Sequence, residues 1–75
     1  MPRLPRISGN TAVSTLERLG FYRARQTGSH VVLKKPISEG EIVCVVPLRR
    51  ELKLGTLSGI LRQAQVTSEE FLENM

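Results

Sequence analysis

Three β-type segments separated by two short turns constrain the fold of this 75-residue chain more than any other feature. Residues 21–26 follow an alternating pattern, Val31–Leu33 are apolar, and Ile42–Val46 form the most apolar and β-branched run of the chain. Turn-forming residues at 27–29 and 38–41 separate the segments. Strands joined by such short turns predict a three-stranded antiparallel meander. The apolar content of Ile42–Val46 favours this segment as the central strand.

The alternation in the first segment assigns its side chains to two faces, because successive side chains of a strand point to opposite sides of a sheet. Phe21, Arg23 and Arg25 share one side, and Tyr22 and Ala24 share the other. Arginine is rarely buried without a partner, so we expect Tyr22 and Ala24 to face the core. Phe21 is then placed at the junction between this strand and the preceding helix.

The second segment begins with His30, the only histidine of the chain. Histidine is the residue type that gains and loses a proton near neutral pH. The turn Gly28–Ser29 leads into this strand, and Pro36, which lacks a backbone donor, is expected to end it. His30, Val32 and Lys34 share one face. An imidazole and a cation two residues apart on one face are suited to act together on a phosphate.

Two segments with helical periodicity flank the predicted sheet. The first predicts an amphipathic helix over residues 9–19, with Ser8 or Asn10 as its N-cap and Gly20 as the residue that ends it. The second predicts a helix that starts at Gly55–Thr56. The apolar positions that recur at spacings of three and four residues are Ala12, Val13, Leu16 and Leu19 in the first helix, and Leu57, Ile60, Leu61 and Ala64 in the second.

Three further positions carry structural predictions. Thr67–Glu70 has the form of a capping box ahead of Phe71 and Leu72, which predicts a short terminal helix. Gly59 lowers the helical preference of its segment, and we interpret it as a site of close packing. Cys44 lies between apolar neighbours in the third strand and is predicted to be a buried thiol. One cysteine and one histidine cannot complete a zinc site within one chain.

The order of predicted elements is α-β-β-β-α, followed by a short C-terminal helix. Two amphipathic helices need an apolar surface to cover, and one face of a three-stranded sheet supplies it. We therefore expect an α+β two-layer sandwich whose other sheet face is free. The sequence predicts one domain over residues 1–75, with an extended arm at 1–7, where prolines interrupt the chain, and a helical tail at 67–75.

The distribution of charge favours a polyanionic partner. Residues 1–68 carry 11 basic and 4 acidic side chains, a net charge of +7, whereas the last seven residues carry −3. A small basic body of this kind favours nucleic acid. The single cysteine excludes an intrachain disulfide and is typical of a reducing compartment. No apolar run has the roughly 20 residues of a membrane span, and the N-terminus lacks the apolar segment of a signal peptide. We expect a soluble, cytoplasmic protein that does not associate with membranes.

Short motifs along nearly the whole chain, from about Ile7 to Leu72, resemble those of the HicA family of toxins. These toxins are small RNA-cleaving proteins with a double-stranded-RNA-binding-domain-like fold. The matching motifs are Ser8-Gly9, Leu19-Gly20-Phe21, Arg25-Gln26-Thr27-Gly28-Ser29-His30, Val46-Pro47, Glu51-Leu52-Lys53, Gly55-Thr56-Leu57, Ile60-Leu61 and Ala64. Two positions depart from the pattern: Arg49 stands where similar members often carry a histidine, and Leu54 replaces a lysine.

The resemblance implies a metal-independent ribonuclease, without a cofactor, that degrades mRNA and uses His30 as its catalytic residue. It also implies a HicB-like antitoxin that binds the toxin and covers His30. RNA carries its own nucleophile, the 2′-hydroxyl, so cleavage requires proton transfer and charge stabilisation. His30 would act either as a general base toward the 2′-hydroxyl or as a general acid toward the leaving 5′-oxygen. The sequence leaves both roles open.

Basic and turn residues around His30 are candidates for contact with RNA. Lys34 comes first because it shares the His30 face. Lys53, just before the second helix, fits either a phosphate clamp or an ordinary surface charge, and the free N–H groups that follow it are suited to receive a phosphate. The complete set of candidate RNA contacts is Lys34, Arg23, Arg25, Lys53, Ser29 and Gly28.

Two alternative functions belong to other classes. A basic sandwich of this fold can bind RNA by shape and phosphate contacts without cutting it, and such a module has no need of an imidazole at position 30. DNA recognition by the second helix is less favoured, because this helix carries Arg62 as its only cation and lacks a cluster of side chains that read base edges.

Overall fold

The structure, a computed structural model, describes residues 3–75. These residues form helix α1 (Gly9–Arg18), strands β1 (Tyr22–Thr27), β2 (His30–Ile37) and β3 (Gly40–Pro47), and helices α2 (Leu54–Ala64) and α3 (Ser68–Glu73). Residues 3–7 of the predicted arm form neither helix nor strand. Met1 and Pro2 of that prediction lie outside the described residues.

The three strands form one antiparallel sheet in the order β1-β2-β3. The helices pack on one face of this sheet, and the apolar side chains between the two layers form the core. This arrangement confirms the predicted α+β two-layer sandwich with the order α-β-β-β-α and a short C-terminal helix. It is the architecture of double-stranded-RNA-binding domains.

The prediction that residues 42–46 form the central strand is wrong, since β2 lies between β1 and β3. Both turns are so short that each strand pairs with the next along the chain, and the middle strand of such a meander is necessarily central. The apolar residues of β3 lie on both of its faces, although only one face is buried. Cys44 and Val46 are buried in the core, whereas Val43 and Val45 are 42% and 38% exposed on the opposite side.

Strand β2 continues past Pro36 to Ile37, so the prediction that Pro36 ends the strand is also wrong. Strand β1 pairs with β2 only as far as Lys34, whereas β3 pairs with β2 through Pro36, which lies opposite Glu41. At Pro36, therefore, β2 has a neighbour on one side alone. A missing backbone donor is tolerated at such a position.

Helix α1 begins with a side-chain cap that resolves the choice left open by the sequence. Ser8 is the N-cap, and its hydroxyl accepts a hydrogen bond from the Thr11 N–H at 3.1 Å. The helix ends at Arg18, and Gly20 follows with φ +103°, a conformation that glycine adopts at low cost. The predicted bounds of 9–19 are therefore confirmed to within one residue.

The terminal helix is part of the core. Thr67 and Glu70 form the predicted capping box at the start of α3, and this cap positions Phe71, which is fully buried. All four apolar positions predicted for α2 are buried as well. The buried apolar residues are Ala12, Val13, Leu16, Phe21, Val31, Leu33, Cys44, Val46, Leu52, Leu57, Ile60, Leu61, Ala64 and Phe71.

Cys44 and Gly59 give opposite outcomes for predictions made from residue type. The buried thiol is confirmed: Cys44 is 1% exposed, and burial raises the pKa of its thiol to about 11. The interpretation of Gly59 as a site of close packing is wrong. A Cβ atom built at Gly59 meets nothing within 4 Å, because this glycine faces a groove between α2 and β3.

Candidate functional site

A bulge in β1 decides which of its arginines lie near His30. The pairing of β1 with β2 shifts between Arg23 and Arg25, so that Arg23 lies opposite Leu33 and Arg25 lies opposite Val32. Ala24 is the extra residue. Residues directly opposite each other in a sheet share a face, so Arg23 lies on the helix side, with Leu33. Arg25 lies on the other side, with Val32.

The contacts of Arg23 agree with this assignment. Its Nε lies 3.4 Å from Oε2 of Glu17, a residue of α1, which covers the helix side of the sheet. The prediction that Arg23 and Arg25 share one face is therefore wrong, because a bulge interrupts the alternation on which it rested. Tyr22 and Ala24 do not face the core either. Every residue of β1 is exposed, and Tyr22 is 50% exposed.

The side of the sheet without helices is here called the open face. Between β1 and β2, the pairs that lie opposite each other on this face are Tyr22 with Lys34, Arg25 with Val32, and Thr27 with His30. On β3, register places Pro47 opposite His30, Val45 opposite Val32, and Val43 opposite Lys34. The predicted sharing of one face by His30, Val32 and Lys34 agrees with the alternating burial of β2, in which Val31 and Leu33 are the buried residues. The open face thus combines an imidazole, two cations, a tyrosine and valines.

His30 is the first residue of β2 and lies at the end of the sheet, between Thr27 of β1 and Pro47 of β3. Gly28, the first of the two turn residues, has φ +56°, as a type II′ hairpin turn requires. The His30 side chain is exposed. None of the hydrogen bonds and ion pairs found among residues 3–75 involves its ring. The ring is therefore exposed and without a polar partner among these residues.

Backbone hydrogen bonds hold the hairpin turn beside His30 in place against the neighbouring segments. The Leu48 N–H donates to the carbonyl oxygen of Ser29 at 2.6 Å, which ties the hairpin turn to the segment after β3. The Gly9 N–H donates to the carbonyl oxygen of Arg49 at 2.8 Å, which ties the same segment to the start of α1. A Cβ at Gly9 would collide with the Pro47 carbonyl oxygen. Glycine is thus required at position 9 for the two backbone segments to meet. The Ser8-Gly9 motif is visible in the sequence, but this contact depends on residues about 40 positions away and cannot be predicted from it.

Lys34 is the predicted phosphate contact nearest to His30 along β2, and it already has an anionic partner. Its Nζ lies 3.2 Å from Oε2 of Glu41 on β3, and both side chains are partly exposed. A phosphate at Lys34 therefore competes with a carboxylate, which sequence analysis did not anticipate. Arg25 is exposed and forms no ion pair with any of residues 3–75.

The remaining predicted contacts lie at different places. Gly28 and Ser29 are exposed in the turn beside His30. Lys53 is the N-cap of α2, and its side chain makes no capping hydrogen bond. A groove lined by Pro47, Gly55 and Thr56, among others, brings the start of α2 next to the end of β3 that pairs with His30. Lys53 is thus outside the open face, at the start of a helix that approaches the His30 end of the sheet.

Residues 3–75 contain no group of three or more His, Cys, Asp or Glu side chains placed to hold a metal ion. Within the same residues, no helix has the length and apolar character needed to cross a bilayer.

The fold and the site together define a class. The two-layer α-β-β-β-α sandwich is that of a double-stranded-RNA-binding-domain-like protein, and its open face carries an exposed histidine beside a hairpin turn together with two cations. The family model described as HicA toxin of bacterial toxin-antitoxin matches residues 9–66. The chain therefore belongs to the HicA toxin family, and the resemblance read from its motifs is confirmed. Membership implies an antitoxin partner. No curated protein matches the chain significantly.

Proposed function

We propose that this chain is the RNA-cleaving toxin of its toxin–antitoxin pair, a metal-independent endoribonuclease that acts on mRNA in the cytoplasm. HicA toxins are generally mRNA-cleaving, and the chain belongs to that family. The observation that carries the proposal is the position of His30. Its ring is exposed, has no hydrogen-bond or ion-pair partner among residues 3–75, and shares the open face with Arg25 and Lys34.

The reaction is an internal transfer at phosphorus. A base removes the proton of the 2′-hydroxyl, the 2′-oxygen attacks the adjacent phosphorus, and the 5′-oxygen leaves with a proton. The products are a 2′,3′-cyclic phosphate and a 5′-hydroxyl. His30 supplies one of the two proton transfers, a contribution of about 10²–10⁴-fold in rate. One imidazole cannot start both neutral and protonated, so water or a second group supplies the other transfer.

Arg25 and Lys34 are the proposed phosphate contacts on the open face. Lys34 lies four residues beyond His30 on β2, and Arg25 lies on the neighbouring strand at the level of Val32, midway between them, so the three groups form a bent line along the open face. Cations along such a line neutralise successive phosphates of one strand. Arg23 is paired with Glu17 on the helix side and serves this line least. Lys53, Gly28 and Ser29 are proposed contacts around the His30 end.

The same position explains how a HicB-like antitoxin would act. His30 lies at the edge of the domain beside a two-residue turn, where a bound protein covers the ring without entering the core. Covering this ring would remove the proton-transfer group from RNA. An antitoxin that binds here blocks the reaction without changing the fold of the toxin.

The test compares wild type with His30→Ala on a long single-stranded RNA in excess EDTA. Because His30 is exposed and its ring has no hydrogen bond within residues 3–75, the variant should fold and bind RNA as wild type does, which circular dichroism and RNA binding would check. We expect cleavage by wild type, with cyclic phosphate and 5′-hydroxyl ends, and a loss of at least about 100-fold in the variant. Equal binding without cleavage by either protein would instead indicate an RNA-binding module. Products with 5′-phosphate ends would contradict the proposed reaction.

A further inference from the structure

Tyr22 is a large aromatic side chain that the fold leaves half exposed, at 50%, although the sequence pattern predicts it in the core. It lies opposite Lys34 on the open face, and its strand neighbour on that face is Arg25. The proposed reaction makes no use of it. An exposed tyrosine flanked by an arginine and a lysine has the composition of sites that bind unpaired bases, where an aromatic ring stacks on the base and cations hold the adjoining phosphates.

The order of groups on the open face supports this use. Along β1 and β2 the paired positions are Tyr22 with Lys34, then Arg25 with Val32, then Thr27 with His30. Four residues of β2 separate the first pair from the last, a distance of roughly 13 Å at the rise of a strand. At 3.4 Å per nucleotide this is the length of about four stacked nucleotides, and of fewer when the strand is extended.

We infer that Tyr22 is a stacking platform for one base of a single-stranded RNA whose cleaved phosphate lies at His30. The inference rests on the proposed function and adds the class of substrate and the path that it takes along the open face. Single-stranded RNA is specified because the faces of bases in a duplex are already stacked and are not accessible to a side chain. Arg25, between the two ends of the path, contacts an intervening phosphate.

Exposed apolar residues on the open face could also be covered by a second copy of the chain. The charge of this face favours RNA instead. Val43 and Val45 of β3 are exposed on the same face as Tyr22, but Arg25, Lys34 and His30 share that face, and Glu41 is the one acidic residue that register places there. Two copies meeting face to face would bring cations together. A polyanion is attracted by the same groups.

The first measurement uses the tyrosine emission of the protein, because Tyr22 is its only tyrosine and it has no tryptophan. His30→Ala protein is titrated with hexa-adenylate RNA that carries 2′-O-methyl groups, so that no cleavage occurs. Binding is followed separately by the anisotropy of a dye on the RNA. We expect emission to fall with the same dependence on RNA concentration as the anisotropy rise, because a stacked base quenches the ring.

The second measurement compares the affinity of Tyr22→Ala, Tyr22→Phe and Ile37→Ala for the same RNA. Ile37 is a matched control, since it is 45% exposed and apolar, but the alternation of β2 places it opposite Gly40 on the side of Val31 and Leu33, away from the open face. We expect Tyr22→Ala to bind about 5- to 150-fold more weakly, the range that one base–aromatic stack represents. Tyr22→Phe keeps the ring and should bind close to wild type, as should Ile37→Ala.

The outcomes separate this inference from the proposed function. RNA that binds without changing the emission, or equal affinities for Tyr22→Ala and Ile37→Ala, would overturn the stacking platform and leave the ribonuclease proposal standing. If the tyrosine emission per mole of protein changes with protein concentration and not with added RNA, Tyr22 contacts a second copy of the chain. That result would also overturn the stacking platform. Quenching and weakened binding in a protein whose wild type cleaves no RNA would support the platform while the ribonuclease proposal fails.

Discussion

Lys34 and Lys35 are neighbours in sequence but occupy opposite sides of the sheet. Lys34 lies on the open face with its Nζ 3.2 Å from Glu41 Oε2. The Nζ of Lys35 lies 5.9 Å from the centre of the Phe21 ring, on the helix side. The two residues carry the same charge a few ångströms apart along the chain. They are therefore a natural pair for separating a local phosphate contact from the general attraction between a basic protein and RNA.

We predict that Lys34→Ala weakens binding of single-stranded RNA and lowers the slope of log affinity against log salt by about one, because one phosphate contact is lost. Lys35→Ala removes the same charge from the other side and should change the slope less. Affinities measured over a series of salt concentrations test this. Equal slopes for the two variants would argue against a phosphate at Lys34.

Cys44 gives the stability of the domain a pH dependence with a definite sign. Burial raises the pKa of its thiol from the usual 9.0 to about 11. Between these values the folded chain keeps the thiol proton and the unfolded chain loses it, so the folded state binds more protons and stability falls as pH rises. The stability that the protonated Cys44 thiol contributes to the folded state is complete below pH 9 and is lost by about pH 11.

Urea unfolding of wild type and Cys44→Val across this pH range would measure the effect. Valine is apolar, suits a strand and has no proton to lose. We expect the free energy of unfolding of wild type to fall more steeply than that of the variant between pH 9 and about 11. Parallel curves would show that other groups account for the whole dependence.

At the scale of elements, two glycines in helices make a matched pair. Gly9, in the first turn of α1, is buried, and a Cβ there would collide with the Pro47 carbonyl oxygen and lie 2.8 Å from the Leu48 Cα. A Cβ at Gly59, in α2, would instead point into open space. The same substitution therefore has opposite consequences in the two helices.

We predict that Gly9→Ala lowers the free energy of unfolding by about 1–3 kcal/mol, because backbone atoms of the segment after β3 must move. Gly59→Ala should raise it by up to about 1 kcal/mol through helix propensity alone. Chemical denaturation measures both. Gly9→Ala should also reduce RNA cleavage, since that segment is bonded to the turn beside His30. A Gly9→Ala protein as stable as wild type would contradict the close contact.

The sequence predicted the helices better than the strands for a physical reason. Helical periodicity in α1 and α2 is written in apolar residues that the core buries, so it identifies both the element and its inward face. Strand β1 has no buried residue, and nothing apolar fixes its register. Its bulge was therefore not predictable. The apolar run of β3 correctly predicts a strand, but apolar residues on both faces do not make it the central one.

The same reasoning explains which parts of the site could be predicted. His30 and Lys34 were assigned to one face because Val31 and Leu33 between them are apolar and fix the alternation of β2. The split between Arg23 and Arg25 follows from the bulge and could not be predicted. The ion pair of Lys34 with Glu41 depends on the pairing of β2 with β3, which local sequence does not specify.

At the scale of the whole molecule, the core extends beyond the part that matches the family. The family model ends at residue 66, but the fully buried Phe71 of α3 belongs to the same core as α1 and the sheet. The Arg18 guanidinium also donates to the Asn74 carbonyl oxygen at 3.3 Å, which ties the end of α1 to the C-terminus. The tail is thus a structural part of the domain.

We predict that Phe71→Ala lowers the free energy of unfolding by about 3–5 kcal/mol, the usual loss for a buried phenylalanine. In a domain of this size that is a large share of the total. Met75→Ala, at a position 48% exposed, should change it by no more than about 0.5 kcal/mol. Thermal and urea unfolding measure both variants. A small effect at Phe71 would show that α3 is dispensable for stability.

The bulge at Ala24 makes the length of β1 variable without changing its two sides. Arg23 and Arg25 have consecutive partners on β2, so a related chain one residue shorter here would keep each of them on its present side. An ungapped alignment of such a chain would match these positions wrongly. Counting backward from the Gly28–Ser29 hairpin, rather than forward from α1, identifies the residue of such a chain that is equivalent to Arg25 and lies on the open face.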